Sequence, residues 1–205
     1  GQVAARKQAE IYLVGGVIRD LFLGREPAND LDLVVIPEAI PLALDLQKCL
    51  GGKIISYEQL GTATLFLPGG GRLDLASARR EFYPLPGALP RVEPSSLKYD
   101  LYRRDFTINS MACSLLPESF GRLFDYFGGR RDLADGLLRT MYNLSFVDDP
   151  LRVLRAVRFE GRLGFCLEGN TMDCMKKAIA GRALEKVSRQ RLGQEMSRIY
   201  REQNP

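Results

Sequence analysis

The sequence predicts an α+β fold, with a mixed α/β domain over residues 1–137 and a helical region over 138–205. Three observations predict it. Short β-rich runs alternate with helical periodicities through the first two-thirds of the chain. A P-G-G-G turn at 68–71 joins two strand-like runs. After Ala134 the strand patterns vanish and apolar residues recur at helical spacing.

Taken in order, 11–14 reads as a strand, 17–23 as a helix and 31–36 as a second strand. Residues 40–50 carry Leu42, Leu46 and Leu50 along one helical face, and Gly51 and Gly52 end that helix. Strands follow at 54–57, 62–67 and 72–76, the last two forming a hairpin. The stretch 81–96 holds four prolines and reads as a loop, too proline-rich for a helix or central strand. Apolar runs return at 108–116 and 123–126, then amphipathic helices at 151–165 and 189–200. No internal repeat is present. The chain stops soon after a helix, as expected of a fragment of a longer protein.

Composition narrows the chemistry. With 45% hydrophobic and 26% charged residues, the balance is that of an ordinary globular chain. No apolar run approaches the roughly 20 residues that span a bilayer, and the opening G-Q-V-A-A-R-K-Q-A-E lacks the apolar core of a signal peptide. No membrane partner is expected, and a cytoplasmic location is the default. The chain has no histidine, which removes Ser-His-Asp, Cys-His and histidine-base mechanisms. Its four cysteines, without a C-x-x-C pair, read as buried free thiols rather than zinc ligands. The net charge of +4 is compatible with an anionic partner. Arginines cluster at Arg79–Arg80, Arg103–Arg104, Arg130–Arg131 and along Arg152, Arg155, Arg158 and Arg162, and their planar forks suit phosphate oxygens.

Two motifs set the chemistry. V-G-G-V-I-R-D at 14–20 places Gly15 and Gly16 between a strand and a helix, where backbone N–H groups can cradle phosphate and Arg19 returns to the same place one turn later. A plain turn with Arg19 in an ion pair to Asp20 or Asp32 is the alternative. N-D-L-D at 29–32 puts Asp30 and Asp32 two apart, hence on one face of a strand, able to hold magnesium. A capped turn entering a strand is the alternative there. Asp74, in R-L-D-L-A, is a third carboxylate for the metal or else a solvent-facing aspartate. Together the motifs point to nucleotidyl transfer.

In this order the motifs resemble those of the class II tRNA nucleotidyltransferases and bacterial poly(A) polymerases, within the polymerase-β-like superfamily. R-R-D-F-T-I-N at 103–109 resembles the family's ribose-recognition motif, D-Y-F-G-G-R-R-D-L at 125–133 its head–neck link, and D-D-P-L-R-V-L-R-A-V-R-F at 148–159 its base-reading helix. Similarity extends over about residues 11–165. One departure is Asp148, where many CCA-adding members have Glu.

The resemblance implies a polymerase-β-like palm, a small mixed sheet with flanking helices, as the head over 1–137. A helical neck over 138–205 would follow, cut off before the family's body and tail regions. It implies that Gly15, Gly16 and Arg19 contact the phosphates, Asp30 and Asp32 bind Mg²⁺, and Arg104, Asp105 and Asn109 surround sugar and phosphates. Asp105 would accept from the ribose 2′-OH. Asp149 and Arg152, three apart and so on one helical face, would read the base edge, a donor-only guanidinium beside an acceptor carboxylate. A plain helix ion pair is the alternative. Arg155 and Arg158 would face the triphosphate. The implied activity is addition of AMP, with CMP as a second substrate, from ATP or CTP to an RNA 3′ end of tRNA type. Full CCA addition and poly(A) tailing are alternatives, and an inactive nucleotide- or RNA-binding module is an alternative of another class.

Overall fold

The computed structural model describes residues 1–26 and 29–202. The chain forms two compact units. The first comprises Gly1–Arg80, Val92–Arg104 and Asn109–Phe127, and the second Glu81–Arg91, Asp105–Ile108 and Gly128–Pro205.

The chain begins α1 (Gln2–Arg6), β1 (Glu10–Val14), α2 (Gly16–Phe22), β2 (Asp30–Ile36), α3 (Ala39–Leu50), β3 (Lys53–Tyr57), β4 (Thr62–Phe66) and β5 (Arg72–Ser77). Two short strands, β6 (Arg79–Phe82) and β7 (Arg91–Pro94), flank the middle of the proline-rich stretch. Then come α4 (Leu97–Tyr102), β8 (Ala112–Ser114) and β9 (Leu123–Phe124). The first unit's sheet has the order β3-β4-β5-β2-β1-β8-β9. β2 and β5 run parallel, while the other neighbours are antiparallel.

Period-two alternation sorts β2 between two cores. Leu33 and Val35 join Ile11, Ala63 and Leu75 under Leu42 and Ala43 of α3. Val34 joins Tyr12, Val14 and Ala112 under Leu97 and Leu101 of α4. The strand is thus covered on both faces in its second half, whereas Asp30 and Asp32 at its start are exposed. On α3, Leu42 is buried and Leu46 packs beside it, but Leu50 is exposed. Eight residues at 3.6 per turn leave Leu50 about 80° round the helix from Leu42.

The second unit adds α5 (Gly129–Ala134), β10 (Leu137–Leu138), α6 (Ser145–Asp148), α7 (Leu151–Leu163), β11 (Cys166–Leu167), α8 (Gly169–Ala180) and α9 (Arg189–Ile199). β10 and β11 pair in parallel, a small sheet where only helix was expected. The division between units also differs from the expected one after 137. Residues 128–137, 81–91 and 105–108 all pack with the second unit. The reason is side-chain chemistry. Phe106 meets Phe159 edge-on at 5.9 Å. The Thr107 hydroxyl donates to Asp132 at 2.6 Å, and the Thr107 N–H to the Arg139 carbonyl at 2.8 Å. The Gly87 N–H donates to the Asp148 carbonyl at 3.2 Å.

All four cysteines are free, as expected, but their burial is not realised: Cys49 and Cys166 are exposed and the other two half-buried. Among the described residues no helix is long and apolar enough to cross a membrane.

Candidate active site

In the first unit, β1 ends at Val14 and α2 begins at Gly16, with Gly15 between them at φ 78°. A Cβ there would lie 3.2 Å from Arg104 Nη1 and 3.6 Å from Asp32 Oδ2. The positive φ favours glycine there, and a side chain would also press on the Arg104 guanidinium. The same contacts show that the glycine turn, Arg104 of the Arg103–Arg104 pair and Asp32 of the N-D-L-D motif converge.

Arg19 lies beneath this turn. A Cβ on Gly16 would come within 3.2 Å of its Nη2. The guanidinium is buried, bidentate to Asp20 at 2.9 Å through Nε and Nη2, while Nη1 donates to Asn109 Oδ1 at 2.7 Å. The ion pair to Asp20 is thus realised. The fork expected to reach phosphate also lies against Gly16 and donates to Asn109.

Register places Asp32 opposite Asp74 and Asp30 opposite Arg72 across the parallel pair β2–β5. Arg72 bridges Asp30 at 3.1 Å and Asp74 at 2.8 Å, and the Thr64 hydroxyl donates to Asp74 at 2.6 Å. Partial desolvation raises the Asp32 carboxyl above its ordinary value. Arg104 and Arg72 pull it down, and the charges of Asp74 and Asp30 push it up. Among the described residues no cluster of three or more metal-ligating side chains forms. Asp74, the expected third carboxylate, has one oxygen accepting from Thr64 and the other paired with Arg72. Asp30 and Asp32 are hard oxygen donors at the exposed start of β2, Asp32 beside the glycine turn. That fits a magnesium ion, which takes one or two protein carboxylates and fills its shell with water and substrate phosphate.

Arg104 is held by Asp100, whose Oδ2 accepts from Nη2 at 3.0 Å. Its Nε is buried and has no hydrogen-bond partner. A buried, unpaired guanidinium donor costs free energy and marks a place for an acceptor that arrives from outside. Asp100 was not anticipated. It is fully buried, takes Arg103 at 2.8 Å and accepts from the Arg79 N–H at 3.3 Å. Burial opposes its charge, but Arg104 and Arg103 outweigh it and hold the carboxyl below the usual range. A carboxylate three and four residues ahead of two arginines was a readable helical signal.

In the second unit, Asp105 is buried with both oxygens engaged. Oδ1 accepts from the Phe106 N–H at 2.8 Å, and Oδ2 takes Arg155, whose Nε lies at 2.8 Å. Asp149 corrects the sequence reading. It precedes α7 instead of sharing a face of it, because the helix starts after Pro150, and Asp149 is extended at φ −125°. Its carboxylate takes Arg191 at 2.9 Å, not Arg152. Arg152 is buried on α7, with Nη1 donating to Ser145 and the guanidinium 5.8 Å from the Tyr142 ring centroid. Desolvation pushes the Tyr142 hydroxyl up to about 12. Arg158, expected to face the triphosphate, pairs with Glu195 of α9 at 2.9 Å and with Glu202 beyond that helix at 3.3 Å.

Residues 11–139 match the poly A polymerase head domain family. The chain belongs to that family. Over its whole length it is 46% identical to the A-adding tRNA nucleotidyltransferase of Geobacter sulfurreducens, covering 23% of that protein. It is 49% identical over 93% of its length to the A-adding enzyme of Aquifex aeolicus, covering 23% of it. The A-adding enzyme of Halalkalibacterium halodurans is 41% identical, with 48% of its length covered. The chain thus spans a quarter to a half of these relatives. A CCA-adding enzyme solved in apo form II superposes with a TM-score of 0.94 at 44% identity, covering all of this chain and 48% of the other. A tRNA nucleotidyltransferase complexed with a primer tRNA and an incoming ATP analog gives 0.89 at 42%, covering 99% and 56%. These likenesses agree with the α+β fold expected from the motifs. In this family member the head-domain match takes in Gly15 through Asn109 and ends before Asp149, Arg152, Arg155 and Arg158, which only the longer similarities include.

Proposed function

We propose that this chain carries the catalytic head and base-reading neck of a template-independent RNA nucleotidyltransferase that adds AMP to a tRNA 3′ end. The observation that carries the reading is the approach of Asp32, on the strand that also carries Asp30, to a positive-φ glycine turn that also meets Arg104, an arginine with an unpaired buried donor. The RNA 3′-hydroxyl oxygen attacks the α-phosphorus of ATP. A new P–O bond forms, the bond to the bridging oxygen breaks, pyrophosphate leaves and the hydroxyl proton passes to solvent. Asp30 and Asp32 would hold Mg²⁺, which when bound would supply Lewis acidity to the attacking hydroxyl and to the leaving oxygens. Arg104 supplies its free Nε to a phosphate oxygen.

Base choice falls to Asp149 and Arg152. Adenine and cytosine pair an amino donor with a ring-nitrogen acceptor, which an acceptor carboxylate and a donor guanidinium complement. Uracil and guanine would leave buried groups unpaired. Asp105, engaged by Arg155, contacts the ribose 2′-OH through remaining lone pairs. ATP is the substrate of this reading, CTP would join it only under full CCA addition, and a cytoplasmic location accompanies it.

The names of the relatives favour A addition over full CCA addition. The test incubates the intact protein containing this chain with Mg²⁺, each triphosphate, and tRNAs lacking either the terminal A or the whole CCA. Labelled A on the first tRNA alone supports the reading. C incorporation on the second shifts it to CCA addition, and no incorporation of any nucleotide defeats it.

A further inference from the structure

We propose that Arg72 is a positioning residue that competes with the divalent cation for Asp30, so that a side chain outside the ligand set tunes the metal affinity of the site. The inference rests on Asp30 and Asp32 binding that cation.

The side chains concerned share one face of the first unit's sheet. Register puts Asp30 opposite Arg72 and Asp32 opposite Asp74, with Thr64 opposite Asp74 from the other neighbouring strand. Asp32 and Asp74 are therefore like charges side by side on neighbouring strands, an unfavourable pairing unless a cation lies near. Arg72 supplies a cation from within the chain. It stands two residues before Asp74, hence on the same face, with Nε 2.8 Å from Asp74 and Nη2 3.1 Å from Asp30. Its charge also reaches Asp32.

The parts of this bridge are held unequally. Asp74 is fixed, because its other oxygen takes the Thr64 hydroxyl at 2.6 Å. The Arg72 backbone is fixed too: its N–H donates to the carbonyl of Asn29, the residue before Asp30, at 3.1 Å. The guanidinium is not. Its buried Nε, close as it is to Asp74, makes no hydrogen bond, so charge alone holds that edge of the fork. The Asp30 side chain is 54% exposed, and Arg72 is its one ion pair among the described residues. The contact most easily given up is thus the one at a metal-binding oxygen. When Asp30 turns to a divalent cation, Arg72 keeps Asp74. A lysine, with one compact ammonium, would lack the fork that spans both carboxylates.

The experiment titrates Mn²⁺ into the intact protein without triphosphate, following free Mn²⁺ by electron paramagnetic resonance and the rise in Tm that bound metal causes. The variants are Arg72→Ala, Arg72→Lys, Asp30→Ala, Asp32→Ala and the double Arg72→Ala/Asp30→Ala. Arg72→Ala should bind Mn²⁺ about twofold to fivefold more tightly than the parent, the scale of an exposed ion pair that no longer has to be broken. Arg72→Lys should fall between the two. In the Asp30→Ala background, removal of Arg72 should change the affinity less than it does in the parent. Unchanged or weaker binding in Arg72→Ala would overturn the competition. An equal gain in both backgrounds would overturn it as well, by making Arg72 a distant charge with no hold on Asp30. Should Asp30→Ala and Asp32→Ala both bind Mn²⁺ like the parent, the metal assignment falls. Should they lose Mn²⁺ while Arg72→Ala gains nothing, only the present inference falls.

Discussion

Asp105 and Arg155, fifty residues apart in sequence, are joined by two guanidinium contacts to one carboxylate oxygen. The Asp105 charge raises the Arg155 pKa above its ordinary value, against the desolvation that would lower it. Removing one member strands the other. Asp105 is nearly buried but Arg155 is 30% exposed, so Arg155→Ala should cost about 3 kcal/mol, the low end for a broken buried pair. Chemical denaturation measures this. In turnover, the same variant should reduce use of all four triphosphates without altering base preference. Asp105→Ala should narrow the preference for ATP over 2′-deoxy-ATP; if that preference is unchanged, the ribose role is lost.

Asp30→Ala and Asp32→Ala should abolish nucleotide addition at saturating Mg²⁺ while the protein stays folded. For Asp32 the sign of the stability change is set by its raised carboxyl pKa. An acid whose folded pKa lies above its unfolded value weakens the fold when ionised, so Asp32→Asn should unfold at the same temperature as the parent or slightly higher at pH 7. Turnover near the parent level in either alanine variant would remove these residues from catalysis.

Asp100 behaves in the opposite sense. Its folded carboxyl pKa is lowered, so its ionised form stabilises the fold. That contribution is complete above the ordinary value of about 3.9 and disappears as pH falls through the lowered value. Asp100→Asn should cost roughly 3 kcal/mol near neutral pH, because Arg103 and Arg104 lose their buried partner, and the difference from the parent should shrink on acidification. The variant should also raise KM for every triphosphate, since Arg104 is no longer held.

Asp149→Ala should lower discrimination against UTP and GTP by one to two orders of magnitude. An unsatisfied polar group costs about 1–3 kcal/mol, at 1.36 kcal/mol per factor of ten. Arg152→Ala should do the same but also destabilise the fold, because the guanidinium is buried against Ser145 and Tyr142. Steady-state kinetics with all four triphosphates decide it. Loss of activity with unaltered ratios would make this region structural.

What could be read from sequence was what neighbours in sequence determine. The alternation of β2 and the glycine turn before α2 are local, and so was the placing of Asp30 and Asp32 at exposed positions two apart on one strand. The start of α7 was also legible. Pro150 disfavours helical geometry in the residue before it, so Asp149 belonged outside the helix, and the equal spacing of charges hid that signal. Partners distant in sequence were not legible: Arg191 reaches Asp149 across 42 residues and Arg19 reaches Asn109 across 90. Nor were β10 and β11, since two-residue strands carry no period.

Residues 105–108 leave the first unit, lend Phe106 and Ile108 to the core of the second, and return; 81–91 do the same. The polypeptide crosses between the units five times, so no single peptide bond separates them. A protease that cuts at Gly128 would leave the excursions stitched in place, and an expressed piece ending there would carry two fully buried apolar side chains with no core to enter. Shortening this protein from its C-terminal side is therefore an operation on both units at once, and melting of the second should pull at the strands and helices that bracket each excursion.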